Sequence, residues 1–168
     1  MGATRSSRQS AEPNGRKALI EAARTLFAER RNEGVSIREL GRAAEQRNNN
    51  AVQYHFGDRE ALLYAVIAPH NERVGERRAA LLEELEAAAA PSIRSLAGAL
   101  VRPSAAMLEE ADGRDYLRIV AELVRDPANV RRRGPVDGTE LDRWNRLTKR
   151  HMAESTLPLH RRFSAMNL

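Results

Sequence analysis

The stretch Ser36–Leu63, S-I-R-E-L-G-R-A-A-E-Q-R-N-N-N-A-V-Q-Y-H-F-G-D-R-E-A-L-L, constrains the fold more than any other part of the chain. Ser36 and Glu39 have the S-x-x-E spacing of a capping box. The serine oxygen accepts from a backbone N–H one turn in, and the carboxylate returns to the N–H of the serine. Ile37, Leu40 and Ala44 then recur at helical spacing, which predicts one apolar face. The period breaks at Glu45–Asn50, a run with no apolar side chain, and resumes with Val52 and Phe56 four residues apart. Gly57-Asp58 stops this second helix and starts a third, with Asp58 as its N-cap. The pattern predicts two short helices, a polar turn between them, and a third helix at once after. The second helix offers Asn49, Asn50, Gln53, Tyr54 and His55 to water. Hydrogen-bonding and flat side chains of these kinds read base edges and hold phosphates.

The order of residues is specific. Small residues close the first helix (Ala43-Ala44), a turn follows, then Val52-Gln53-Tyr54-His55-Phe56, Gly57-Asp58, and Arg59-Glu60-Ala61-Leu62-Leu63. This stretch resembles the DNA-binding half of the TetR family of bacterial transcriptional regulators, over roughly residues 15–67. Two positions depart from the family pattern. Glu45 stands where the family usually has glycine, at a cost of about 1 kcal/mol if that backbone is left-handed. The Asn48–Asn50 run offers another place for such a residue. Gln53 stands where a phosphate-binding tyrosine is common, with Tyr54 next door to take that role.

The resemblance implies a recognition helix, roughly Asn49–His55, entering the major groove of double-stranded DNA. Arg59 corresponds to the family's basic phosphate contact. The DNA-contacting set expected on this reading is Ser36, Arg38, Arg47, Asn48, Asn49, Asn50, Gln53, Tyr54, His55 and Arg59. Two copies would read a near-palindromic operator, most often as a repressor, with an unidentified small molecule as effector. Family members usually continue into two C-terminal helices that build the dimer interface, whereas this sequence stops at Leu168, about where the first should begin. On this expectation the homodimer implied by the family would not use its usual surface. A competing expectation follows: a helical interaction module that pairs with a related regulator and does not bind DNA alone.

Composition supports an all-α chain with an N-terminal three-helix DNA-binding module, joined by a long helix to an all-helical regulatory domain. Ala, Leu, Arg and Glu dominate, and strand-rich runs are missing. The absence of cysteine excludes a disulfide framework, a thiolate metal site and a cysteine nucleophile, and fits a reducing cytoplasm. No apolar run approaches the roughly 18 residues of a membrane span, and the N-terminus has no signal-like apolar core. Net charge is +5 and unevenly spread: residues 1–60 and 127–168 are basic, residues 61–126 acidic. A basic module before an acidic one fits a DNA reader carrying a non-DNA domain.

The expected organisation is a disordered polar arm (1–14), a helix-turn-helix domain (15–60) and a helical ligand-binding domain (61–168). Helix Arg16–Arg31 carries an apolar stripe of Leu19, Ala23, Leu26 and Phe27, and Gly34 is a natural C-cap after it. Pro69 is expected to kink or end the long helix, Pro91 to start the next as its first residue, and Pro103 to interrupt it before a short helix Ser104–Ala111. Ile93, Leu96, Leu100 and Val101 should line one side of that helix. Arg114–Arg125 follows, with Tyr116, Leu117, Val120, Leu123 and Val124 apolar, then a loop with Arg131-Arg132-Arg133 and a helix Thr139–Ala153. Met107, Tyr116 and Trp144 are the candidate effector-pocket residues, although aromatics form only 4% of the chain. No phosphate-binding glycine loop, H-E-x-x-H or G-x-S-x-G occurs, so neither a catalytic constellation, a metal nor a cofactor is expected.

Overall fold

The structure is a computed structural model that describes residues 11–30, 34–46, 48, 50–88, 90–125, 140–152 and 156. Among these residues all regular structure is helical: α1 (Ala11–Glu29), α2 (Ile37–Ala43), α3 (Ala51–Phe56), α4 (Arg59–Ala87), α5 (Ile93–Ala105), a 3₁₀ turn (Ala106–Glu109), α6 (Gly113–Arg125) and α7 (Glu140–Lys149). The chain divides into two compact units, Met1–Pro69 and His70–Leu168, with the division falling inside α4. No described helix is long and apolar enough to cross a membrane.

In the first unit, α1 begins at Ala11, earlier than the expected Arg16, so the supposed arm contributes its last residues to the helix. Pro13 falls in the first turn, where a missing N–H costs no intrahelical bond. Leu19, Ala23 and Phe27 are buried as the stripe requires, together with Val35, Leu40, Ala44, Ala51, Val52, Leu62, Leu63, Val66 and Ile67. Leu26 is only half-buried. Ile37 was expected beside Leu40 but is 36% exposed; as the first residue of α2 it sits at the rim of the core. Gly34 is not a left-handed cap, because among the described glycines only Gly57 has positive φ.

In the second unit, Leu82, Leu96, Ala99, Trp144 and Leu147 form a core cluster, flanked by Leu81, Leu85 and Leu100. Trp144 Nε1 donates to the Leu96 carbonyl at 2.7 Å, which ties α7 to α5. Arg78–Glu140 and Arg143–Glu86 tie α7 to α4. The prolines act differently from expectation. Ser92 is the N-cap of α5, its oxygen accepting from the Ser95 N–H, and Pro91 stands outside the helix. Pro103 lies buried inside the last turns of α5 and does not interrupt it. Its fixed φ is helical, and only the Ala99 carbonyl loses a partner. Beyond Ala105 the chain tightens into the 3₁₀ turn where an α-helix to Ala111 was expected. Of the two effects expected at Pro69, an end of the helix does not occur, because α4 runs on through it.

A Cβ on Gly113 would collide with the Met107 carbonyl, so only glycine allows α6 to start this close behind the 3₁₀ turn. α6 buries Tyr116, Ile119 and Leu123, so Ile119 joins the expected apolar residues in the core. Leu117, Val120 and Val124 are only half-buried. Ile93 and Val101 do not share a side with Leu96 and are exposed. α7 spans Glu140–Lys149; Thr139, Ala153 and the three-arginine loop lie outside the described residues.

Candidate nucleic-acid interface

The capping box forms as the spacing demands. Ser36 Oγ accepts from the Glu39 N–H at 3.3 Å, and Glu39 Oε2 accepts from the Ser36 N–H at 2.9 Å and from its hydroxyl at 2.8 Å. Arg30 adds an ion pair at 2.8 Å. The hydrogen bonds from the Ser36 backbone and hydroxyl, then Arg30, hold the Glu39 carboxyl below the ordinary glutamate range. This network fixes where α2 begins, and Ser36 remains exposed at that edge.

The turn after α2 departs from the family pattern in sequence but keeps a left-handed residue. Glu45 itself has φ of 53°. The alternative, a left-handed residue in the asparagine run, is not taken by Asn50, whose φ is −99°. Asn48 instead builds a local turn, its Oδ1 accepting from the Asn50 N–H at 2.9 Å and its carbonyl from the Ala51 N–H at 3.0 Å. Such Asx turns are the usual service of asparagine here. Asn50 is the N-cap of α3 by position but makes no side-chain capping bond.

α3 is short and two-sided. Ala51 and Val52 point into the core, while Asn50 and Gln53 are exposed and Tyr54 is 68% exposed. An exposed tyrosine beside an exposed glutamine is an unusual use of surface for a chain so poor in aromatics. Tyr54 packs edge-on against His55, ring centroids 5.0 Å apart. His55 is half-buried, in edge contact with Phe56, and its Nε2 lies where a Cβ on Gly15 would press. Arg16 caps the Phe56 ring at 5.0 Å. Gly57, at φ of 84°, ends α3, and Asp58 Oδ1 accepts from the Ala61 N–H at 2.7 Å to start α4.

On α2, Arg38 and Arg42 are exposed, one turn apart, with no ion-pair partner among the described residues. Arg42 is not in the contact set named above, although the sequence places it with Arg38 and Arg47 on or beside this helix, where some of the three are expected to meet phosphates. Arg47 and Asn49 lie outside the described residues. Arg59 is turned toward its own module: Nε donates to the Val35 carbonyl at 2.8 Å and the guanidinium lies 5.0 Å from the Phe27 ring. The exposed residues thus gather on α2, the turn and α3, whereas Arg59 and His55 are built into the packing behind them.

The second unit places the three pocket candidates inside its core. Met107 is fully buried. Tyr116 stacks on His70 at 5.0 Å and its hydroxyl donates to Asn71 Oδ1 at 2.9 Å. Trp144 is held by Leu96. A hollow of about 380 Å³ is lined instead by Arg77, Ala80, Leu81, Arg102, Pro103 and Ala106. His70, Glu110 and Asp112 bring three donor atoms within 4.8 Å of one another. His70 Nε2 is already paired with Asp112 at 3.0 Å, and Arg73 and Arg77 hold the two Glu110 oxygens at 2.7 and 3.2 Å. Two arginine charges oppose a cation there, and the cluster reads as a polar staple between α4 and the start of α6.

Two helices, a tight turn and an exposed polar second helix define a helix-turn-helix module, the first class to which the geometry assigns this chain. Over 63 residues the chain is 36% identical to the HTH-type transcriptional repressor AcnR of Corynebacterium efficiens, and equally to that of Corynebacterium glutamicum. The match covers 38% of this chain and spans a third, 33%, of the length of each of these relatives. The chain is thus a partial relative of helix-turn-helix transcriptional repressors. No known protein-family model matches it.

Proposed function

We propose that the chain is a DNA-binding transcriptional regulator of the TetR kind, a repressor released by a small-molecule effector. One observation carries the reading: α3 holds an exposed Asn50–Gln53–Tyr54 face beside α2, whose Arg38 and Arg42 present charge to solvent. Side chains of the first sort take base edges in the major groove, and arginines of the second sort take phosphates. The partial likeness to AcnR repressors supports the same reading. Asn48 is exposed just before this face and Ser36 at the start of α2, while Arg59 ties α4 to Val35 and Phe27 and His55 packs beside Gly15 of α1. Two copies read a near-palindromic operator, with half-sites about one helical turn apart or a multiple of that. The effector acts through whatever difference in affinity it has for two states of the second unit.

The test is a gel shift with duplex from upstream of the protein's own gene, at rising salt, on the wild type and on Gln53→Ala/Tyr54→Ala. The wild type should prefer this duplex over random sequence, with affinity falling steeply in salt. The double variant should lose the preference while keeping its fold. A wild type that ignores both duplexes at low salt overturns the reading and leaves the helical interaction module.

A further inference from the structure

α5 is apolar on both faces. Leu96, Ala99 and Pro103 are buried in the second unit, and Met107 of the 3₁₀ turn beyond them. The opposite face carries Ile93, Ala97, Val101 and Ala105 at four-residue spacing, closed by Leu108. Ile93 is 52% exposed, Val101 60% and Leu108 53%. An exposed apolar stripe of this length, on the side of a helix away from its own core, marks an interaction site.

We propose that this stripe is the surface on which two copies of the chain pair, α5 against α5, antiparallel about a two-fold axis near Val101. The stripe is close to self-complementary. At ~1.5 Å per residue in the α-helix and ~2 Å in the 3₁₀ turn, Ile93 lies ~11 Å to one side of the point between Leu100 and Val101, and Leu108 ~13 Å to the other. A two-fold there sets Ile93 against the second copy's Leu108, and Ala97 against the second copy's Ala105. Valine meets valine at the axis, and the alanines let the backbones approach. The charges agree with this order. Arg94 and Glu109 flank the two ends of the stripe, and neither side chain has an ion-pair or hydrogen-bond partner among the described residues. In the antiparallel pair both lie on one flank, each arginine beside the other copy's glutamate. Arg102 flanks the axis and faces its own copy across solvent, a modest cost that salt screens. Such an isologous contact closes on itself as a dimer. Its purpose rests on the regulator reading, which needs two reading heads; its geometry does not.

The experiment is sedimentation equilibrium of the full chain over a wide concentration range. The wild type is expected to be a dimer. Val101→Glu, which sets two carboxylates at the axis, should give a monomer with unchanged far-ultraviolet circular dichroism, because the site is exposed. R94E should weaken pairing about tenfold through lost attraction and new repulsion at both ends, and R94E/E109R should restore it to within about threefold. The chain has no cysteine. V101C is therefore its only thiol, and a short bis-maleimide should join two copies through it, whereas A121C on the exposed side of α6 should not be joined. A monomeric wild type overturns the inference, and so does a dimer indifferent to Val101→Glu or a charge swap that does not rescue. A monomer whose V101C thiol resists maleimide would mean that the chain's own residues cover the stripe, which also overturns it. A dimer that ignores DNA would leave this inference standing and sink the regulator reading.

Discussion

At the scale of single residues, strain and charge are placed where they set the turn. Glu45 is the only described non-glycine residue with positive φ, and its side chain is exposed, so no contact requires glutamate there. Glu45→Gly is expected to raise unfolding stability by up to about 1 kcal/mol, read from the urea midpoint, with DNA affinity unchanged or better. Two glutamates report on pH. The hydrogen bonds from Ser36, joined by Arg30, lower the Glu39 pKa, and the Arg143 hydrogen bond lowers that of Glu86, both from 4.5. A depressed carboxylate contributes stability above its unfolded pKa and loses it as pH falls through the folded one. Urea midpoints should therefore fall as pH drops below the ordinary glutamate range, and Glu39→Gln with Glu86→Gln should flatten that limb while lowering stability at neutral pH.

At the scale of elements, much was legible because it is local. The capping box, the Asp58 cap and the Gly57 stop each depend on residues within one turn, and each forms as read. The helix bounds read from proline were the ones that moved, because its effect depends on position within a turn rather than on its presence. Pro13 sits in a first turn and Pro103 near a last one, where the lost bonds are few. Gly113 shows the opposite limit. Nothing in its neighbours reveals that the Met107 carbonyl will press against it, since that approach exists only once the 3₁₀ turn has folded back. Gly113→Ala is expected to cost about 1–3 kcal/mol, measured by urea unfolding, with α6 displaced. Trp144→Phe should cost about 1 kcal/mol or more by leaving the buried Leu96 carbonyl without its donor.

At the scale of the whole molecule, the proposed DNA binding makes a prediction about charge. Arg38→Gln with Arg42→Gln is expected to reduce the dependence of log affinity on log salt by about 2 units, while the preferred sequence stays the same, because phosphates carry no sequence information. Gel shifts at several salt concentrations check this. Periodicity and composition determined that the chain is helical, where the helix-turn-helix begins and which face of α3 meets water. Those features follow from one-turn hydrogen bonds and the 3.6-residue repeat, which a sequence displays directly. Only the tertiary structure decided that Arg59 turns inward to Val35 and Phe27, that Tyr116 and Trp144 spend their polar atoms on Asn71 and Leu96, and that Ile93 and Val101 stay outside. Each of these depends on which of two apolar faces of a helix finds the core first, and on partners 24 to 48 residues away along the chain. Side-chain spacing along one segment carries no record of such distant neighbours.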